Sequence, residues 1–260
     1  MRRNESSIVV IQFGSKKFNI KQHIVHIIFK KISTTFTTMR VVITAATVGE
    51  WMPSFLDIDT LYTSESQRLK IIFHQGGVGL LANAVSLTRL AFEEKPDLII
   101  QVGLAGCFDS LLGLGKVVAV REEILGDMGA HEDGKWKDIF DLKLEKAGYP
   151  PFERRRLPNH CIEKFNLLKL QEVTGITVNQ ITTNEERIQQ LIKKYDPAIE
   201  SMEGAALHFV GREMNIPFLQ IRAVSNYIGE RDKEKWKMKE AINNLNQTIL
   251  KYVDKLYKVA

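Results

Sequence analysis

The chain has 260 residues, of which 44% are hydrophobic and 26% are charged, so it is long enough for one domain with a sizeable core and short for two. Cys107 and Cys161 form no CxxC pair, which gives no signal of a disulfide framework or a zinc site and favours a reducing, cytoplasmic compartment. The net charge is +5 at pH 7, but the first 38 residues hold seven cations and one acid, which leaves about −1 for the rest. The net positive charge therefore gives no reason to expect a nucleic-acid partner.

Residues 1–38 differ in composition from the rest of the chain. They are basic and contain Ser and Thr, and we expect them to be a disordered extension or to lie before the true start of translation at Met39. Their apolar runs are shorter than a signal-peptide core, and no run in the chain approaches the roughly 20 apolar residues of a membrane span. We therefore expect one domain over 39–260 and no contact with a membrane.

From Met39 onward, apolar runs of β type alternate with stretches of helical period. The predicted strands cover 40–46, 69–74, 97–102, 116–121, 176–181 and 217–224, and the predicted helices cover 80–94, 184–194, 203–215 and 232–257. The last helix is the clearest, because apolar residues recur at three- and four-residue steps from Met238 to Leu256. The pattern predicts an α/β fold, a single domain with a twisted, mostly parallel central sheet flanked by helices. Residues 126–160 lack a period and are rich in Gly, Pro and charge, so we predict an insertion there.

Glycines and one glutamate follow the first predicted strands, where open α/β sheets bind ligands. Glu50 comes after the first strand, and a carboxylate at that point can act as a general base toward water. Gly77 and Gly79 lie in GGVG, and Gly103 lies in QVGLAGC, where glycines allow backbone N–H groups to approach an anion or a sugar. Taken alone, a solvated loop glutamate and tight turns explain these residues at least as well.

Two later segments, ESMEGAA at 200–206 and RAVSN at 222–226, add polar residues at a helix start and a strand end. Glu203 opens a predicted helix, where an acid usually only complements the helix dipole, and Met202 alone would be assigned to the core. Ser225 and Asn226 end the following strand, and the Asn226 amide can both donate and accept hydrogen bonds.

In this order, PDLIIQVGLAG, ESMEGAA and IPFLQIRAVSN resemble the nucleoside phosphorylase/nucleosidase superfamily over about residues 39–257. The superfamily includes methylthioadenosine/S-adenosylhomocysteine nucleosidase, purine nucleoside phosphorylase and futalosine hydrolase. The resemblance implies that Glu50 activates a water molecule, that Glu203 binds the ribose 2′- and 3′-hydroxyls and that Met202 packs against the sugar. It also places Gly77, Gly79 and Gly103 in turns near the ribose and Ser225 among the substrate-binding residues.

Three departures from relatives refine this interpretation. Gln101 stands where hexameric purine nucleoside phosphorylases have a phosphate-binding arginine, and glutamine supplies neither a permanent cation nor a bidentate fork, so water is the favoured nucleophile. Asn226 stands where adenosine-type nucleosidases have the aspartate that protonates purine N7, which favours a 6-oxopurine base. The RAxSN ending is similar to that of futalosine hydrolases. Leu104 replaces a Ser or Thr of many relatives.

The leading hypothesis is hydrolysis of the N-glycosidic bond of a 6-oxopurine nucleoside. The favoured reaction converts futalosine to dehypoxanthine futalosine and hypoxanthine in menaquinone biosynthesis, with Glu50 and Asn226 as catalytic residues. The alternatives are a purine nucleoside phosphorylase acting on inosine or guanosine and a non-catalytic nucleoside-binding protein. A dinucleotide-binding oxidoreductase is disfavoured, because the glycine pattern lacks the fingerprint.

The partner implied by the resemblance is a small-molecule nucleoside, bound by a homodimer or larger homo-oligomer, without metal or cofactor. The sequence does not assign the aromatic residue that stacks on the base. Phe108, Trp136 and Tyr227 are the candidates, each of which fits a packing role better.

Overall fold

The computed structural model describes residues 38–62, 68–108 and 112–259, so the predicted extension at 1–38 lies outside the described residues except for Thr38. The strands are β1 (Met39–Ala45), β2 (Leu69–Gln75), β3 (Leu98–Cys107), β4 (Val117–Leu125), β5 (Gly129–Glu132), β6 (Lys135–Asp138), β7 (Leu157–Pro158), β8 (Glu172–Thr177), β9 (Ile199–Ser201) and β10 (Phe218–Tyr227). The helices are α1 (Met52–Tyr62), α2 (Leu80–Glu94), α3 (Ile162–Phe165), α4 (Glu185–Tyr195), α5 (Gly204–Glu213) and α6 (Met238–Val259), with 3-10 helices at Val48–Glu50 and Lys233–Lys235.

The α/β class is confirmed, but the main sheet is mixed where the sequence predicted a mostly parallel one. Its strands run in the order β10-β4-β8-β9-β3-β1-β2, with β7 beside β4. Because β3 also pairs with β10, the strands β3, β10, β4, β8 and β9 close into a barrel-like ring. Two pairs in the ring are antiparallel, β10 with β4 and β3 with β9. Apolar composition does not report this direction, because a strand buried on both faces is apolar whichever way its neighbour runs.

Helices cover both faces of β1 and β3, as alternate side chains of the strands require. On one face the apolar stripe of α6, including Leu245 and Val253, packs with Val41 and Ile43 of β1. On the other face Val42 packs with side chains of α2 and α5. The stripe predicted for the last helix is therefore confirmed, and its first turns extend past the core toward the ends of the strands.

Two predicted elements are displaced along the chain. The strand predicted at 176–181 is β8, Glu172–Thr177, because the chain leaves the sheet after Thr177. The backbone N–H groups of Asn179 and Gln180 donate to the Asp127 carboxylate instead of to a neighbouring strand. The last helix begins at Met238 rather than at 232, because the Asp232 side chain caps the 3-10 helix Lys233–Lys235.

The segment predicted as an insertion, 126–160, contains a two-stranded antiparallel sheet of β5 and β6, and β7, which pairs with β4. Trp136 on β6 donates from its indole N–H to the Tyr195 hydroxyl at 2.9 Å. The Arg187 guanidinium lies 4.2 Å from the centroid of the Trp136 ring. This segment therefore packs against α4, although its sequence predicted no elements.

A buried amide on α6 fixes the loop that follows β1. Asn246 is 3% exposed, its Nδ2 donates to the Glu50 carbonyl at 2.9 Å, and its Oδ1 accepts from the Ser54 N–H at 2.9 Å. The last helix therefore determines where the backbone of Glu50 lies.

We expect Asn246→Ala to lower the free energy of unfolding by about 1–3 kcal/mol, because the Glu50 carbonyl loses its amide donor and the Ser54 N–H keeps only the Trp51 carbonyl as acceptor. Urea denaturation of the purified variant measures the loss. Asn243→Ala, at an exposed position of the same helix, is the matched control and should change the free energy by less than about 0.5 kcal/mol. Equal losses in the two variants would show that the Asn246 hydrogen bonds contribute no net stability.

Candidate active site

A cavity of about 390 Å³ lies where β1, β3, β9 and β10 end. Its lining includes five of the residues predicted from the sequence, namely Glu50, Met202, Glu203, Ser225 and Asn226. The two carboxylates therefore share one cavity, although 153 positions separate them in the sequence. The structure thus meets the geometric condition on which the predicted chemistry depends.

Glu50 lies in the 3-10 helix after β1, and hydrogen bonds hold both oxygens of its carboxylate. Oε1 accepts from the Leu104 N–H at 3.2 Å, and Oε2 accepts from the Thr47 N–H at 2.9 Å and from the Thr47 hydroxyl at 3.2 Å. A carboxylate offers roughly four acceptor positions, so these three donors leave one for a ligand or a water molecule. The side chain is oriented and retains a free lone pair.

Gly103 allows the Glu50 carboxylate to come close to the backbone of β3. A Cβ atom at Gly103 would lie 3.0 Å from Glu50 Oε1 and 2.5 Å from Arg222 Nη1. Any larger residue would push one of these charged groups away from β3. Gly103 was predicted to lie in a turn near the sugar, but it lies within β3 and is buried.

Glu203 caps the N-terminus of α5 and is buried. Its Oε1 accepts from the Gly79 N–H at 3.0 Å, and its Oε2 lies 3.6 Å from Arg222 Nη1. Because Gly79 directly precedes α2, the carboxylate lies at the N-terminus of that helix, whose dipole favours an anion. Gly77 and Gly79 have φ angles of 86° and 88°, which shape the turn that presents this N–H.

The buried carboxylate of Glu123 fixes the start of α5 through hydrogen bonds. The Ala205 N–H donates to Thr177 Oγ1 at 2.8 Å, and the Thr177 hydroxyl donates to Glu123 Oε2 at 2.9 Å. Gln220 Nε2 donates to the other oxygen of Glu123 at 2.9 Å. Burial raises the pKa of Glu123 to about 7. Glu203 therefore extends from a helix terminus that is held in place by interior hydrogen bonds.

Arg222 on β10 is the central charge of the site, and the sequence analysis missed it. Its side chain is 2% exposed, its Nη2 donates to Gln101 Oε1 at 2.9 Å, and its Nη1 donates to the Leu104 carbonyl at 3.3 Å. Gln101 Nε2 in turn donates to Asn83 Oδ1 at 2.9 Å. A sequence signal existed, because Gln220 and Arg222 alternate with apolar residues in an otherwise buried strand. A charge in such a strand is rarely buried without a partner.

Ser225 and Asn226 form a hydrogen-bonded pair at the end of β10. The Ser225 hydroxyl donates to Asn226 Oδ1 at 2.8 Å, and Asn226 Nδ2 donates to the Tyr227 carbonyl at 3.1 Å. One acceptor position of the amide oxygen and the second N–H of Nδ2 remain for a ligand. Ser225 therefore orients Asn226.

Other lining residues supply apolar surface. Leu104 lines the cavity, as do Met202, Met238 and Ile242. The last two belong to the first turns of α6, beyond the part of its stripe that reaches the core.

The three aromatic candidates for base stacking are not among the residues that line this cavity. Phe108 and Trp136 pack beside α4, and Tyr227 packs against a separate core cluster. Among the described residues, the aromatic side chain that lines the cavity is Trp236, which precedes α6 and carries the Arg231 guanidinium 5.4 Å from its ring centroid. Trp236 was overlooked because residues 232–237 were assigned to the last helix.

Within residues 38–62, 68–108 and 112–259, no three or more His, Cys, Asp and Glu side chains are grouped so that they could hold a metal ion. Of the helices in these ranges, none has the length and apolar character needed to cross a bilayer.

Comparison with known proteins shows that the chain is similar to two kinds of enzyme. The chain is 28% identical over 179 residues to futalosine hydrolase from Thermus thermophilus, covering 68% of this chain and 79% of the relative. It is 29% identical over 212 residues to 5′-methylthioadenosine/S-adenosylhomocysteine nucleosidase from Staphylococcus aureus, covering 75% of this chain and 86% of the relative.

The fold matches the structure of a futalosine hydrolase mutant from Helicobacter pylori strain 26695 with a TM-score of 0.67 at 16% identity, covering 86% of this chain and 100% of that chain. A family model described as the phosphorylase superfamily matches residues 50–256, which begin at Glu50 and end in α6. The resemblance predicted from the sequence is confirmed, and the chain belongs to the phosphorylase superfamily.

Proposed function

We propose that the protein hydrolyses the N-glycosidic bond of a 6-oxopurine nucleoside and that futalosine is its substrate. The observation that carries the proposal is that Glu50 and Glu203 line the same cavity. The backbone of Leu104 and the Arg222 side chain link the two carboxylates. The Leu104 N–H binds Glu50, its carbonyl binds Arg222, and Arg222 pairs with Glu203. That the enzyme is an N-glycosidic nucleoside hydrolase accords with the nucleosidase names of both relatives.

In the proposed reaction the bond between C1′ and the purine nitrogen breaks first, and the base leaves with the electron pair. Asn226 stabilises the charge on the departing base, which then takes a proton from solvent, and water captures the ribosyl cation. The free lone pair of Glu50 orients that water and accepts its proton. General bases of this kind typically contribute roughly 10²–10⁴-fold to the rate. The Leu104 and Thr47 donors hold the carboxylate in position beforehand, so little reorganisation is needed during the reaction.

Glu203 binds the ribose hydroxyls in this proposal. The Gly79 N–H uses one acceptor position on Oε1, and Arg222 is an ion-pair partner of Oε2 at 3.6 Å, which leaves acceptor positions for the 2′- and 3′-hydroxyls. Two hydrogen bonds from adjacent hydroxyls to one carboxylate fix the rotation of the sugar, so that water at Glu50 attacks C1′ in line.

The structure favours water over phosphate as the nucleophile. Gln101 is buried and hydrogen-bonded to Asn83 and Arg222, and Arg222 is already engaged by Gln101, Leu104 and Glu203. Among the described residues that line the cavity, Arg231 is the one cation, and it is exposed. A phosphate near Glu50 would have a carboxylate as neighbour, and the guanidinium buried beside it, that of Arg222, is already engaged, which is unfavourable for a dianion.

We expect Glu50→Gln to lower kcat for futalosine by about 10²–10⁴-fold with little change in KM, because the amide keeps the shape and loses the base. Release of hypoxanthine by the purified variant measures both constants. Glu213→Gln, at an exposed position of α5, is the control and should leave both unchanged. A wild-type protein that binds futalosine without releasing hypoxanthine would instead support a non-catalytic nucleoside-binding protein.

We expect hydrolysis to proceed at full rate in phosphate-free buffer and to yield free sugar without a ribose 1-phosphate. Added inorganic phosphate should change the rate by less than about twofold, since the arginine buried beside Glu50, Arg222, is already engaged by its own partners. Chromatography of the products with futalosine and with inosine measures this. A strict requirement for phosphate would establish the rival function, a purine nucleoside phosphorylase.

We expect Asn226→Asp to shift preference toward a 6-aminopurine. The carboxyl group can protonate N7 of an adenine leaving group, but it loses the N–H that donates to O6 of hypoxanthine. The ratio of kcat/KM for aminofutalosine to that for futalosine should rise at least about tenfold. Asn243→Asp, on the exposed face of α6, is the matched control. An equal loss for both substrates would contradict a role for Asn226 in base selection.

A further inference from the structure

A buried chain of three side chains beside the start of α5 contains two polar atoms without partners. Glu123 of β4, Gln220 of β10 and His208 of α5 are each 0% exposed. Gln220 Nε2 donates to Glu123 Oε1 at 2.9 Å, and the Gln220 side chain is also a neighbour of the His208 ring. Among the described residues, Gln220 Oε1 and His208 Nε2 have no hydrogen-bond partner. Leaving two buried polar atoms unpaired is unfavourable, which indicates a second arrangement in which both are paired.

The other ring nitrogen of His208 fixes its tautomer. Nδ1 lies 2.7 Å from the Leu157 carbonyl oxygen, which can only accept, so Nδ1 carries the hydrogen. Burial, together with the charges of Arg212 and Arg222, lowers the pKa of His208 to about 4. The ring is therefore neutral near pH 7, and Nε2 is an acceptor that needs a donor. The neighbouring atom of Gln220 that is left for it is the amide oxygen, which is also an acceptor.

Solvent does not supply the missing donor. The Glu123 carboxylate fills the space beside two glycines, since a Cβ atom would lie 1.9 Å from Oε1 at Gly204 and 2.6 Å from it at Gly175. With all three side chains of the chain closed to solvent, the hydrogen that completes the chain has to be carried by one of its own members.

A proton on Glu123, together with a half-turn of the Gln220 amide, pairs every atom. The protonated Oε1 of Glu123 then donates to the Gln220 oxygen, and the Gln220 N–H donates to His208 Nε2. The other oxygen of Glu123 still accepts from the Thr177 hydroxyl, as it does in the structure. One proton and one rotation about a terminal bond therefore provide partners for both atoms.

The charges around Glu123 favour the neutral form as well. The groups that face it are Arg222 from β10, His208 and the N-cap Glu203 from α5, and the uncharged Thr177 hydroxyl from β8. Arg222 is already the ion-pair partner of Glu203. An ionised Glu123 would set a second buried carboxylate against one guanidinium, whereas a protonated Glu123 leaves that pair balanced. Burial accordingly raises the pKa of Glu123 to about 7.

We propose that Glu123 is protonated in the active protein and donates to Gln220, and that this neutral chain makes Glu123 a positioning residue for Glu203. The inference deepens the proposed function, and its link to Glu203 rests on that function. When Glu123 ionises, the Gln220 amide turns back and its oxygen faces His208 Nε2. Two acceptors then oppose each other between β10 and α5, and the repulsion shifts the helix whose N-cap is Glu203.

Infrared difference spectroscopy of wild type against Glu123→Gln tests for the proton directly. At about pH 6 the difference should contain the carbonyl band of a protonated carboxyl group, and at about pH 9 carboxylate bands should replace it. Glu213→Gln, at an exposed position of α5, is the control and should show carboxylate bands at both pH values. Carboxylate bands of Glu123 already at about pH 6 would overturn the inference, whatever the protein catalyses.

The pH dependence of KM tests the link to Glu203. Glutamine at position 123 can donate to the Gln220 oxygen and accept from Thr177, but it cannot ionise. Because Glu123 loses its proton as the pH rises through about 7, KM for futalosine should rise at least about threefold in wild type relative to Glu123→Gln between about pH 6 and about pH 8.5. Parallel pH profiles would overturn the positioning role. A protein that shows the infrared band but releases no base from futalosine or inosine would defeat the proposed function alone.

Nitrogen NMR of wild-type protein labelled on histidine covers the case in which Glu123→Gln does not fold. At about pH 6 one ring, held by Leu157, should be a neutral Nδ1–H tautomer whose Nε2 accepts a hydrogen bond, and that bond should be lost above about pH 7. A His208 ring that carries both protons at about pH 6 would place the proton at the other end of the chain and overturn the inference.

Discussion

The site is organised around the buried guanidinium of Arg222. Burying a charge is costly by several kcal/mol unless it is paired and its N–H groups are satisfied, and here the partners are Gln101, the Leu104 carbonyl and Glu203. Leu104 and Glu203 line the cavity, and Gln101 is buried outside its lining. Two of them belong to β3, and the third is the N-cap of α5. The electrostatic requirement of one residue therefore holds β3, β10 and α5 in a single arrangement.

The closed ring of strands explains why residues that are distant in sequence meet. Since β3 pairs with both β9 and β10, the segments that carry Glu200 and Asn226 flank one glycine of β3. Since β1 pairs with the first half of β3, on the edge opposite β10, the loop after β1 brings Glu50 to Leu104. In an open, mostly parallel sheet, the same strand ends would lie side by side in a row. Here the antiparallel pairs are part of a closed ring, so the strand ends surround the cavity.

Sequence patterns predicted the elements whose periodicity is strong and missed the features that depend on tertiary partners. The helix over 80–94 and the buried stripe of α6 follow from spacing alone, and both match the structure. By contrast, β9 has only three residues, and its position depends on pairing with β3 and β8. Glu50, Glu203 and Asn226 could be predicted because they carry a motif. Arg222 and Trp236 could not, because their places in the site appear only once the ring has closed.

The residues assigned to the sugar and those assigned to the base lie on different parts of the chain, which explains how one fold can accommodate different substrates. The groups assigned to the sugar, Glu50 and Glu203, are held largely by backbone N–H groups of Leu104, Thr47 and Gly79, which depend little on side-chain identity. The groups assigned to the base are Ser225 and Asn226 at the end of β10, held by their immediate neighbours. Substitution at Asn226 can therefore change the base that is recognised without moving the water-activating carboxylate. Relatives named as futalosine hydrolase and as methylthioadenosine/S-adenosylhomocysteine nucleosidase are similar to this chain at almost equal identity. Overall similarity is therefore a poor guide to the base, and the few side chains at the end of β10 are a better one.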